Sequence, residues 1–225
     1  MKNIEIQVLE MLSRLGAVVT NSHFVYTSGK HGAEYIDKTA ITQHPNDFTQ
    51  LCWWIASNAL KDDPDIVLGA AVVGAMMSPI VAQEISMHAR KKNKPLSLFA
   101  DNDVSFRMEN DRVVRVEQIM LKRGFDKLVA GKRVVIVEDI VNTGKTVLRL
   151  IDLVKENGGT VVSVHAICNR GPLTHDDFAK QDIRFSPLVT TPLTAYDAAS
   201  CPLCAAGVPI NIELGHGRQF VARMI

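Results

Sequence analysis

An α/β fold with a mostly parallel central sheet flanked by helices is predicted here from three observations. Short apolar runs alternate with helix-period stretches from Ile66 onward, the pattern of strands joined by helical crossovers. The 225 residues suffice for one sizeable core and suggest a single α/β unit. Hydrophobic residues make up 47% of the chain against 22% charged, which excludes a disordered polypeptide.

The elements follow in order. Ile4, Val8, Leu12 and Leu15 recur at helical spacing, and Gly16 stops them. After Pro45 and Asp47, the stripe Phe48, Leu51, Cys52, Ile55 and Ala59 predicts a second amphipathic helix, with Trp53 and Trp54 packing on its flanks. A strand is expected at 66–68, then a helix starting at Ser78-Pro79 and running to about Arg90, then a strand at 96–99. Residues 101–127 are densely charged; 104–108 and 113–116 can pair as a flexible, exposed hairpin around an Asn110-Asp111 turn. Val134 to Val137 reads as a buried strand. A helix over about 145–157 turns Val147, Leu150, Ile151 and Val154 inward before Gly158-Gly159 ends it. Strands at 161–168 and 183–189 complete the pattern, after which Pro192, Pro202, Gly207 and Pro209 break it into a loop-rich tail. One domain over 1–225 is expected, with its core at about 60–190 and a small hood contributed by 1–45 and 191–225. No internal repeat or linker is visible.

Composition narrows the function. Twenty-five Lys+Arg against 24 Asp+Glu leave a formal charge of +1, so a general nucleic-acid coat is disfavoured. The uncharged run 66–83 approaches membrane-spanning length, but Gly69, Gly74 and Pro79 interrupt it, and strand, loop and helix explain it better. The first fifteen residues carry Glu5 and Glu10 and show no secretory signal. Four cysteines do not make a disulfide framework, so a cytoplasmic location is expected.

The sharpest chemical signal spans thirteen residues, Val134 to Thr146. Four buried apolar residues deliver Glu138 and Asp139 to the carboxyl end of a strand, where open α/β sheets place their ligand crevice. Asn142, Thr143, Gly144, Lys145 and Thr146 then open a helix, so backbone N–H groups and two hydroxyls can converge on a phosphate. Carboxylates that accept hydrogen bonds from vicinal hydroxyls, beside an anion cradle, suit a ribose 5-phosphate. Gly144-Lys145-Thr146 invites comparison with a phosphate-binding P-loop, but that motif needs a glycine where this chain has Asp139.

This pattern resembles the signature with which the type I phosphoribosyltransferases bind 5-phosphoribosyl 1-diphosphate (PRPP), Asn142 standing where a smaller residue or Asp is usual. Within that family the chain is most similar to the orotate phosphoribosyltransferases. Phe24 to Lys30 and Tyr35-Ile36-Asp37 look like their N-terminal Ser-Gly segment and the Tyr-x-Asp after it. The resemblance implies a homodimeric enzyme that uses Mg2+ with PRPP and transfers the phosphoribosyl group to a base, orotate foremost, in pyrimidine biosynthesis. By the same resemblance, Ala70, Ala71, Val72, Val73 and Gly74 would form the diphosphate loop, Tyr26 and Arg170 would meet the base, and Glu138 and Asp139 would hold the ribose. Arg123 and Lys127 are similar to the cations of the family's flexible loop, which closes over the leaving diphosphate. Thr27, Val73 and Gly124 stand where the family commonly has lysines, so fewer cations face the substrate. Another base, a PRPP-sensing regulator and a phosphotransferase remain open at this point. A regulator usually carries a DNA-binding segment, and residues 1–60 show no helix-turn-helix. Partners expected are therefore small molecules and a second copy of the chain, with neither nucleic acid nor membrane.

Cys201 and Cys204 make half of a zinc site, to which His216 could add a third ligand; a structural turn in the tail is the expected role. His23, His44, His88, His165 and His175 show no ligand spacing and read as ordinary surface or core positions.

Overall fold

The computed structural model describes residues 3–88, 94–109 and 112–222. The chain divides into two compact units, one formed by residues 1–48 and 191–225, the other by 49–190.

The first unit opens with α1 (Ile4–Arg14), whose apolar stripe buries Val8, Met11 and Leu12. Asn3 caps it by accepting from the Glu5 amide, and Gly16 exits in the left-handed region that a Cβ disfavours. Four two-residue strands follow: β1 (Val18–Val19), β2 (Phe24–Val25), β3 (His31–Gly32) and β4 (Tyr35–Ile36). β1 pairs antiparallel with β4, and β2 with β3. Asp37 then caps the short α2 (Lys38–Thr42) through the Thr39 amide.

α3 (Pro45–Ala59) buries all five residues of its predicted stripe. Trp54 packs as expected, but Trp53 is 43% exposed, because the neighbouring position on a helix turns about 100° away from the core. The remaining elements of the second unit are β5 (Ile66–Ala70), α4 (Val73–His88), β6 (Leu96–Glu109), β7 (Arg112–Met120), α5 (Phe125–Val129), β8 (Arg133–Val141), α6 (Lys145–Glu156), β9 (Thr160–Asn169), α7 (His175–Ala179) and β10 (Arg184–Thr190). The tail returns to the first unit with α8 (Pro202–Ala205) and α9 (Gly217–Ala222).

The second unit is built on one six-stranded sheet of order β10-β9-β8-β5-β6-β7, parallel except for the last pair. β5 and β8 are buried at nearly every position, as central strands covered on both faces must be. On one face Leu150, Ile151 and Val154 of α6 pack with Ile66, Leu68, Val134 and Ile136, and the rings of Phe178 and Phe185 meet at a tilt with 5.0 Å between centroids.

Two expectations are corrected. α4 begins at Val73, so Pro79 lies inside the helix and does not start it. The helix is fixed by burial of Val73, Met77, Val81 and Ile85, and that burial outweighs the one backbone bond Pro79 forgoes. The hairpin arms run well beyond the expected five and four residues, to the pair Asp101↔Met120. Its exposure is as expected: Phe106, Met108 and Val113 are each more than three-fifths exposed. The Asn110-Asp111 turn and the end of the helix near Arg90 lie outside the described residues.

A polar clamp holds the β10 edge. Arg184 reaches the Asp62 carboxylate with two nitrogens and donates to the Asn58 carbonyl at 2.9 Å. Ser163 donates to the same carboxylate at 2.7 Å, and the fully buried His165 ring sits 3.4 Å from it. Burial works against charge on Asp62, but the hydrogen bonds from His165, Arg184 and Ser163 and the guanidinium charge outweigh it, holding the carboxyl well below its usual range.

Candidate active site

The sheet changes its direction of travel at β5: β6 follows on one side, and β8, β9 and β10 extend on the other. Loops leaving the carboxyl ends of β5 and β8 therefore diverge across a switch point, the place where open α/β sheets hold ligands.

The β5 loop is short and folded tightly on itself. A Cβ built on Gly69 would overlap the Gly74 carbonyl, so glycine is required where the strand end meets the first turn of α4. The Ala71 amide donates to the Ala100 carbonyl at 2.9 Å, the Ala71–Val72 peptide is cis, and the Val72 side chain is 72% exposed. These are the residues expected to meet a diphosphate.

At the end of β8, Glu138 and Asp139 are 7% and 3% exposed. One oxygen of each accepts from a backbone amide: Glu138 Oε1 from Asp139 at 3.2 Å, Asp139 Oδ1 from Ile140 at 2.7 Å. These bonds fix the carboxylates on the strand. Asn142 and Thr143 are then exposed, and Gly144 turns the chain into α6 at φ +76°. Glycine supplies no side-chain cap to the start of α6, and a helix start of this kind favours an anion through its first-turn amides and its dipole.

The β9 loop buttresses this cradle. Both the Arg170 and Gly171 amides donate to the Val141 carbonyl, at 2.8 and 3.0 Å. Asn169 accepts from Gly171 at 3.1 Å and donates to Leu173 at 2.8 Å. A Cβ on Gly171 would overlap the Asn142 carbonyl, and Leu173 lies against Gly144. The largely buried Arg170 is thereby joined to the loop that follows Glu138 and Asp139. Sequence reasoning singled out Arg170 but missed Asn169, Gly171 and Leu173 as its supports, because their roles depend on two strands becoming neighbours.

A family model described as the phosphoribosyl transferase domain matches residues 37–185, two-thirds of the chain. The chain belongs to the phosphoribosyltransferase family. Among curated relatives, the orotate phosphoribosyltransferase of Caldanaerobacter subterraneus is 31% identical over 204 residues, covering 91% of this chain and 94% of that protein. That of Thermotoga maritima is likewise 31% identical over 202 residues, covering 90% and 94%. Among solved structures, orotate phosphoribosyltransferase from Aeropyrum pernix shares the fold with a TM-score of 0.60 at 22% identity, over 81% of this chain and 93% of that one. The Mycobacterium tuberculosis orotate phosphoribosyltransferase in complex with PRPP gives a TM-score of 0.53 at 20% identity, over 83% and 96%.

Within this phosphoribosyltransferase fold, the other expected residues are distributed as follows. Arg123 is not on a hairpin arm: pairing ends at Met120, Leu121 is buried, and Arg123 takes a left-handed turn at φ +62° into α5, on which Lys127 stands. At the foot of the hairpin, Lys122 pairs with Asp103 at 2.8 Å. Tyr26 belongs to the first unit, where its hydroxyl donates to the Glu34 carbonyl at 2.6 Å. His216 is not a partner of Cys201 and Cys204, since its Nε2 lies 3.0 Å from Thr27 Oγ1. His23 and His31 occupy that place. Among the described residues, no helix is long and apolar enough to cross a membrane.

Proposed function

We propose that this phosphoribosyltransferase transfers the 5-phosphoribosyl group of PRPP to orotate, giving orotidine 5'-phosphate and diphosphate. The observation that carries the reading is the buried Glu138-Asp139 pair at the end of β8, followed at once by an exposed, side-chain-uncapped helix start at the sheet's switch point. Relatives named orotate phosphoribosyltransferase, 31% identical over nine-tenths of the chain, support orotate as the acceptor.

The 5'-phosphate accepts hydrogen bonds from the first-turn amides of α6 and from the hydroxyls of Thr143 and Thr146. Glu138 and Asp139 accept from the two ribose hydroxyls, and their negative charge stabilises the positive charge that develops on the sugar ring as the diphosphate departs. The bond from the anomeric carbon to the diphosphate oxygen breaks as the bond to a ring nitrogen of the base forms. Residues 70–74 receive the diphosphate, Arg123 and Lys127 offset its charge, and Arg170 orients the base. Closure of the β6–β7 hairpin excludes water that would otherwise hydrolyse the sugar phosphate. The hard carboxylate oxygens of Glu138 and Asp139, next to a polyphosphate substrate, match the donor preference of magnesium. Bound with PRPP, that ion supplies charge neutralisation to the leaving diphosphate.

A homodimer and a cytoplasmic location, implied by the resemblance, belong to the same proposal, and sedimentation of the purified chain checks the first. The reading is tested by diphosphate release from PRPP and magnesium across a panel of nucleobases. Release with orotate supports it; release with another base alone refutes the acceptor, and PRPP binding without turnover points to a sensor.

A further inference from the structure

We propose that His23, His31, Cys201 and Cys204 form a tetrahedral zinc site that staples the tail of the chain to its N-terminal segment. The four ligand atoms lie within 4.8 Å of one another, and this is the only such group of His, Cys, Asp or Glu among the described residues. The inference does not depend on the identity of the base.

Local structure sets up both halves. Cys201 is the N-cap of α8 and Pro202 its first residue, so Cys204 falls one turn further along with its sulfur on the same side. On the N-terminal side, His23 precedes β2 and His31 begins β3, two strands paired antiparallel. Backbone pairing joins the segments: His31 exchanges N–H···O bonds with Tyr196, both at 2.8 Å, and the Asn211 amide donates to the His23 carbonyl at 2.7 Å.

The distances are those of a coordination shell. Cys201 Sγ and Cys204 Sγ each lie 3.7 Å from His23 Nε2, and Cys204 Sγ lies 3.3 Å from His31 Nδ1. A tetrahedral ion with ordinary Zn–N and Zn–S bonds has nitrogen-to-sulfur edges of about 3.6 Å. The two ring nitrogens are closer, at 2.9 Å, and need only a small separation to reach the roughly 3.3 Å of such an ion.

The carbonyl behind the His23 ring selects its tautomer. His23 Nδ1 lies 2.8 Å from the Val208 carbonyl, which can only accept, so the proton sits on Nδ1 and the lone pair of Nε2 points into the cluster. A backbone carbonyl behind a ring is the arrangement that orients metal-bound histidines. Phe220 meets the His31 ring edge-on at 4.9 Å and fixes its plane. Two imidazoles and two thiols, three of the four residues buried, give a closed donor set that suits structural zinc, with no position left for a reacting water.

The test uses the purified full-length chain. Elemental analysis after growth with zinc is expected to find about one ion per chain, and replacement by cobalt(II) to give the visible bands of a tetrahedral ion with thiolate-to-metal charge transfer. Cys201→Ser and His31→Ala are each expected to weaken zinc binding by more than about ten-fold, whereas His216→Ala leaves it unchanged. Should a variant fail to fold, the cobalt spectrum of the unmodified chain still decides. A chain that takes up no zinc, a Cys201–Cys204 disulfide in its place, an octahedral cobalt spectrum, or undiminished affinity in Cys201→Ser would overturn the proposal.

Discussion

Replacing Gly69 by alanine is expected to damage the diphosphate loop far more than the same change at Gly74, although the two glycines face each other. At Gly69 the new methyl would overlap the carbonyl of Gly74 and lie 2.9 Å from its Cα, all of it backbone that no rotamer change can move. At Gly74 the nearest atoms, on Gly69 and the Val137 carbonyl, are 3.2 Å away, which a shift of a few tenths of an ångström relieves. Gly69 lies on β5, held between β6 and β8, so the strain moves the loop and not the strand. Overpacking of this kind costs about 1–3 kcal/mol of stability. A displacement near 1 Å at a positioning loop costs about 10²-fold in rate. The assay is kcat/KM for PRPP alongside the thermal midpoint of each variant. Gly69→Ala should lose about 10²-fold in kcat/KM, with a smaller loss in Gly74→Ala. Equal activity in the two variants, or the reverse order, would refute the loop's role.

Further outcomes are expected elsewhere. Asp139→Asn should lower transfer by at least about 10²-fold with little change in thermal midpoint; unaltered turnover would remove the carboxylate from the mechanism. Burial pushes His165 down, against the pull of Asp62, so below about pH 6.5 the unfolded chain takes up a proton that the folded chain refuses, and stability falls with pH. Asp62, whose carboxyl is held low, adds stability that is present above about pH 3.9 and lost as pH falls toward its folded value. Urea midpoints from pH 8 to pH 4 should decline accordingly, with His165→Gln flattening the upper part; an identical slope in that variant would contradict the assignment. Burial, reinforced by the charge of Glu84, pushes the Cys52 thiol up to about 12, so iodoacetamide at pH 8 should modify Cys52 only in the unfolded chain, and rapid labelling of the native protein would oppose this.

How far the sequence foretold these features depended on their range. The buried run Val134–Val137, its two acids and the amphipathic α6 are local, and each was legible in composition and period. The start of α4 was misread because Pro79 carries a strong local signal, while the burial that fixes Val73–His88 comes from the sheet beneath it. Arg123 and Lys127 were legible as cations, yet their place at the hairpin's foot and on α5 follows from where antiparallel pairing stops. Cys201 and Cys204 were legible as half of a metal site, but His23 and His31 were not, because about 180 residues separate the two halves and no spacing rule spans that distance. The Asp62–His165–Arg184 clamp was hidden for the same reason, its members meeting only when β9 and β10 pair.

The most direct measurement is a crystal structure of the chain soaked with ribose 5-phosphate. The account predicts the phosphoryl group within hydrogen-bond distance of the Thr143–Thr146 amides and the ring hydroxyls on Glu138 and Asp139. Density for the sugar at any other position, with that loop empty, would contradict it.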